Sequence, residues 1–146
     1  MTFARSRQLL DRHHKKILWA AITLATVAVS AVLAWKYFSF GYNAIDLGIY
    51  NQVFYNSVHG RLFQFSIHPQ LYLGDHMELF MLLLLPLYAL FQSPLTLLVL
   101  QAAAIMLTAW PLFLIARRWL SIPWSLGLAL AFLVNPFVIN MAFFEF

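Results

Sequence analysis

The 146-residue chain is 63% hydrophobic and only 10% charged, with a mean hydropathy of +0.79. Soluble domains carry roughly a quarter charged residues and about half apolar ones, so an ordinary soluble domain is excluded and a membrane protein is expected. The net charge is +4 and cysteine is absent, which excludes a disulfide, a thioether-linked haem and a cysteine zinc site.

Residues 1–16 form a polar tail holding Arg5, Arg7, Arg12, Lys15 and Lys16. Basic residues gathered before an apolar run mark a cytoplasmic flank, not a nucleic-acid-binding face. The N-terminus is therefore expected in the cytoplasm, the chain in the plasma membrane as a multi-pass protein, and the tail against anionic lipid. No nucleic-acid partner is expected. His13 and His14 are adjacent and cannot share a helical face, which argues against a metal pair. Residues 17–37 carry no charge except Lys36. As a helix, at ~1.5 Å per residue, they match the ~30 Å hydrocarbon core. A cleaved leader has a shorter apolar run, of ~7–15 residues, so a retained signal anchor is expected. Trp19 and the cluster Trp35, Tyr37 and Phe38 suit the two aromatic belts, and Lys36 can snorkel.

Residues 38–78 then form an outer loop. Within it, Ile49, Tyr50, Val53, Phe54 and Val58 recur at helical spacing, with Asn51, Gln52, Asn56 and His59 opposite. The pattern predicts an amphipathic helix lying in the interface over about residues 46–59, with Asp46 at its head and Gly60 as its stop. His68-Pro69 predicts an extended turn. Asp75 followed by Glu78, ahead of an apolar run, has the form of a capping box. The helix that follows, about residues 77–92, is short for a span and holds Pro86 in its middle. It either crosses as a short kinked span or lies half-buried on the outer side.

The next charges bear on that choice. Residues 96–116 make a second full span, ending at Arg117 and Arg118. If the short helix stays on the outer side, this basic pair lands inside, where basic residues gather, and the half-buried alternative is favoured. Residues 122–144 make a third span, with Pro123 in its first turn and Asn135-Pro136 and Asn140 interrupting its far half. The chain stops just after this span at an aromatic-rich tetrad, so it is expected to be the N-terminal part of a longer polytopic protein whose remainder it would pack against. The expected fold class is thus an all-α polytopic membrane domain over residues 17–146.

Four of the five acidic residues, Asp46, Asp75, Glu78 and Glu145, fall on one face under this topology, with His76 among them. An acidic rim can hold a divalent cation such as Mg²⁺ or Mn²⁺, with Asp46 and His76 as candidate ligands. It can also supply a general base. Each candidate has a plainer use: Asp46 as an N-cap, Asp75 and Glu78 as the capping box, His68 as a loop residue, Glu145 as an interface charge, and Arg117 and Arg118 as topology markers or a lipid head-group contact. Asn51, Gln52, Asp75 and Glu78 are the candidate substrate-binding residues.

The segments IDLGIYNQ, GDHMELFMLLLLPLYALF, Gln101 with WPLFLIARR, and NPFVINMAFFEF resemble the N-terminal part of the predicted membrane proteins grouped as domain of unknown function 2079. The resemblance runs over roughly residues 38–146. That family is similar to the GT-C class of polytopic glycosyltransferases, which take a sugar from a polyprenyl-phosphate carrier. The resemblance implies a GT-C-like fold, a lipid-linked sugar donor as partner, and a catalytic or metal-binding carboxylate in the first outer loop, where Asp46 stands. It also implies a second acidic residue after a later span, a place that Glu145 matches loosely. The paired Asp-Glu of many GT-C first loops is absent, since Leu47 follows Asp46. Two other functions stay open beside the transferase: a non-catalytic subunit or transporter-like protein, and a metal or haem site on His68 and His76.

Overall fold

The computed structural model describes the backbone of residues 2–42, 45–67, 71–74 and 76–144, and the side chains within them from residue 12 onward. His68, Asp75 and Glu145 lie outside the described residues. Among those described, every regular element is helical: α1 (Thr2–Phe38), α2 (Ile45–Val58), a single 3-10 turn (Tyr72–Gly74), α3 (Met81–Leu90), α4 (Pro94–Leu107), α5 (Ala109–Ala116), α6 (Ile122–Leu133) and α7 (Pro136–Phe143). Two rods, Arg12–Phe38 and Pro94–Ala116, are long and apolar enough to cross a membrane. α6 and α7 make a third if the pair, bent by 41°, is one span.

The basic segment, from Thr2 on, is continuous with the first helix. No glycine or proline interrupts residues 2–38, so nothing in the backbone ends the helix at the membrane boundary. α1 closes on a Schellman pair, with Phe40 N–H donating to the Tyr37 carbonyl and Gly41 N–H to that of Lys36.

Among the described residues the chain packs as two compact units, residues 2–32 with 101–144, and residues 33–100. The first unit is a helix bundle. Along α4 and α5, within this unit, the buried positions are Ala102, Met106, Ala109, Phe113 and Ala116. Alternating steps of four and three give the left-handed seam of packed helices, and three of the five are alanines, which let backbones approach in lipid. α1 contributes Leu18, Ile22 and Val29, and α6 contributes Leu126, Ala129 and Leu133. His14 meets Phe113 at 5.6 Å and Trp19 meets Trp110 at 5.2 Å between ring centroids. As α1 advances, its partner on α5 recedes, so the two helices run antiparallel. A bulky side chain has no room in this seam: Ala109→Leu is expected to cost about 1–3 kcal/mol, read as a lowered unfolding midpoint in detergent.

Prolines set the breaks in this unit. Pro111 has no N–H for the Leu107 carbonyl, and α4 gives way to α5 at Thr108, whose hydroxyl turns back to the Ala104 carbonyl at 3.1 Å. Pro136 holds Asn135 in an extended conformation, with φ −68° and ψ 124°. The Asn135 side chain then accepts from the Phe137 N–H at 2.9 Å and starts α7.

The second unit joins α2 to α3. Leu47, Val53, Phe54 and Ser57 are buried on α2, while Ile49, Tyr50 and Val58 are half-buried. The packed face is thus turned from the one expected, because α2 takes its neighbours from α3 and the following loop. The Phe54 ring meets that of Tyr88 at 5.3 Å between centroids, tilted by 45°, and the Tyr88 hydroxyl donates to Asn51 Oδ1 at 2.6 Å. α3 starts at Met81, not near residue 77, and its N-cap Phe80 makes no side-chain cap. At ~1.5 Å per residue its ten residues reach only ~15 Å, about half of the hydrocarbon core. Leu83, Leu87 and Leu90 remain exposed on it.

Candidate functional site

Tyr72 organises the site. It is buried, and its ring meets Tyr50 at 5.5 Å, Phe65 at 5.7 Å and His76 at 5.4 Å. The loop from α2 is folded back to bring it there. Ser57 Oγ accepts from the Phe63 N–H at 2.9 Å, and the Phe63 carbonyl accepts from the Tyr72 N–H at 2.9 Å. Phe63 takes φ 56° to make that reversal. Asn56 Oδ1 accepts from Arg61 at 2.8 Å, its amide donates to the Gln64 carbonyl at 2.8 Å, and Gln52 Oε1 accepts from both the N–H and the hydroxyl of Ser66 at 3.1 Å.

Asp46, Ile49, Tyr50, Tyr72 and His76 line a cavity of about 270 Å³. α2 begins at Ile45, so Asp46 stands in the first turn of the helix rather than before it as the N-cap. There its charge is favoured by the helix dipole, and its exposed carboxylate remains available to the cavity. His76 is held by its own backbone, the N–H donating to the Tyr72 carbonyl at 3.0 Å, with its ring against Tyr72.

The capping-box reading of Asp75 and Glu78 rests on Asp75, outside the described residues. The Glu78 carboxylate accepts from the Tyr50 hydroxyl, at 3.2 Å on Oε1 and 3.1 Å on Oε2, across 28 residues of sequence. α3 starts at Met81, so residue 78 precedes the helix. Burial first, then the hydrogen bond with Tyr72 and the charge of Glu78, push the Tyr50 phenol far above its ordinary range. Tyr50 therefore stays protonated and acts as a donor, not as a base. Tyr50→Phe is expected to leave Glu78 without this donor and to cost about 1.5 kcal/mol, read as a lowered unfolding midpoint.

The structure thus brings Asp46 and His76 to one cavity and ties Glu78 to its wall. Asn51 and Gln52 are not among the described lining residues; their oxygens are committed to Tyr88 and Ser66. Among the described residues no three His, Cys, Asp or Glu side chains gather as a metal group. The two tyrosines carry little local signal: Tyr50 falls within an apolar stripe, and Tyr72 lies in a stretch without a period. An aromatic ring with a polar tip at each place was the only local signal.

Residues 36–146 match the model of a family described as predicted membrane protein, DUF2079. No curated protein and no solved structure matches the chain.

Proposed function

The chain belongs to the DUF2079 family of predicted membrane proteins, and on that footing we propose that it serves a membrane glycosyltransferase of GT-C type, moving a sugar from a polyprenyl-phosphate carrier to an acceptor hydroxyl on the outer face. The observation that carries this reading is a carboxylate, Asp46, lining a cavity with an imidazole, His76, in the first folded segment after a membrane-length helix. In the reaction, Asp46 takes the proton of the acceptor hydroxyl. The acceptor oxygen then bonds to the sugar's anomeric carbon, and the bond from that carbon to the carrier phosphate breaks. The carrier leaves as polyprenyl phosphate. An alcohol is a poor nucleophile until its proton is taken, and a positioned base is worth about 10²–10⁴-fold.

In this proposal a divalent cation is held by two protein groups. Mg²⁺ commonly takes one or two carboxylates and completes its shell with water and substrate phosphate. Asp46 and His76 would hold it, and its charge would offset that of the carrier phosphate. The antiparallel run of α1 and α5 supports the topology in which Arg117 and Arg118 return to the side of the basic N-terminal segment and α3 stays on the outer face. Labelled polyprenyl-phosphate sugar added to membranes containing the full-length protein should give labelled acceptor; equal label in membranes lacking the protein would rule out the transferase.

The break at Asn135-Pro136 favours one other reading, a transporter-like or non-catalytic subunit, because broken helices line substrate paths in transporters. That protein would show no dependence on a lipid-linked sugar.

A further inference from the structure

The walls of the Asp46 cavity are of mixed kind: one carboxylate, the rings of Tyr50, Tyr72 and His76, and the aliphatic Ile49. The Tyr50 and Tyr72 rings stand at 61° to each other, so they form a corner rather than a flat wall. Among the described lining residues none is lysine or arginine. The protons of the two phenols are already committed. Tyr50 donates to Glu78, and a carboxylate outcompetes a neutral oxygen for such a proton. In its hydrogen bond with Tyr72, Tyr50 is therefore the acceptor, and the Tyr72 proton is spent as well. Donation thus runs from Tyr72 to Tyr50 to Glu78. The lining keeps a carboxylate, phenol lone pairs and aromatic rings, all of which attract positive charge and hydrogen-bond donors. Glu78 is not a lining residue, yet its carboxylate lies within 3.2 Å of the Tyr50 hydroxyl and adds to the same field.

We propose that this cavity binds an alkylammonium group, presented by a vicinal amino alcohol. An ammonium is a pure donor, with N–H groups to give and no lone pair to offer. It meets an acceptor at Asp46 and at the phenol oxygens, and its charge is favoured by the rings. An anionic ligand meets only like charge and spent donors. A carboxylate has two oxygens, so Asp46 can hold the ammonium on one and the neighbouring hydroxyl on the other. The role of that hydroxyl rests on the transferase reading: it would be the group that Asp46 deprotonates, and the ammonium would supply the positive charge otherwise asked of a divalent ion. Two sources carry this chemistry, an amino sugar and the ethanolamine head of a lipid.

The full chain is held in a polyoxyethylene detergent, which has no amine, phosphate or sugar. It is titrated with labelled glucosamine, with glucose, N-acetylglucosamine, ethanolamine and Mn²⁺ as competitors. Glucosamine should bind at least tenfold more tightly than glucose or N-acetylglucosamine, since acetylation keeps the ring and removes the charge. Asp46→Asn should lose that preference while keeping a cooperative unfolding transition. Displacement by ethanolamine within tenfold of the glucosamine concentration assigns the amine to a lipid head group; weaker displacement assigns it to a sugar. Equal binding of glucosamine and N-acetylglucosamine overturns the proposal, and so does an undiminished preference in Asp46→Asn. Binding of Mn²⁺ with none of glucosamine or ethanolamine also overturns it, because the cavity would then be a metal site alone. Binding is read without turnover, so the ammonium site and the transferase reading fail separately.

Discussion

Asp46→Asn is expected to leave the protein folded and, on the proposed transferase function, to lower transfer by at least about 100-fold. The two halves of this outcome have different origins. Asp46 is exposed in the first turn of α2 and anchors no described packing contact. Asparagine keeps the shape and a hydrogen-bonding oxygen, and loses only the favourable meeting of charge and helix dipole. What asparagine cannot do is accept the acceptor's proton, and a positioned base supplies about 10²–10⁴-fold. An unfolding scan beside a transfer assay separates the effects. Transfer at the natural rate would reduce Asp46 to a helix-end charge and remove the base from the mechanism.

Phe54→Ala has the largest expected effect on stability, about 3–5 kcal/mol. Phe54 is 0% exposed and packs its ring against Tyr88, itself 0% exposed. Truncation leaves a void between α2 and α3, and the Asn51–Tyr88 hydrogen bond loses the packing that aligns it. Because α2 carries Asp46, Ile49 and Tyr50, the cavity they line depends on that contact. The measurement is the unfolding midpoint in detergent, together with protease sensitivity of the segment after α2. A midpoint shifted by less than about 1 kcal/mol would show that α2 is held by something other than α3.

What the sequence made legible was what length and composition alone decide. An apolar run of membrane length has one common solution, because lipid satisfies no backbone group and a helix satisfies them internally. Membrane-length apolar helices at Arg12–Phe38 and Pro94–Ala116 follow from that rule. The Asn135-Pro136 break is equally local, since proline removes its own N–H and extends the residue before it. The site was less legible because its bonds are long-range. Glu78 has a box-like partner three residues earlier, yet takes Tyr50 across 28 residues. Asn51 and Gln52 read as polar surface on a helix, and are instead bound to Tyr88 and Ser66 across 37 and 14 residues. No periodicity marks such pairings. They exist because the loop after α2 reverses at Phe63 and carries Tyr72 back under the helix.

Sidedness tests the account most directly. Asp46→Cys, Gln92→Cys and Arg117→Cys, each in the cysteine-free chain, are exposed in sealed membrane vesicles to a thiol reagent that cannot cross lipid. The account predicts that positions 46 and 92 react from one side and position 117 only from the other, with α3 lying on the outer leaflet and the Asp46 cavity open to water. Labelling of 46 and 117 from the same side, with 92 opposite, would mean that α3 crosses, and the shared outer face on which the Asp46 chemistry depends would be gone.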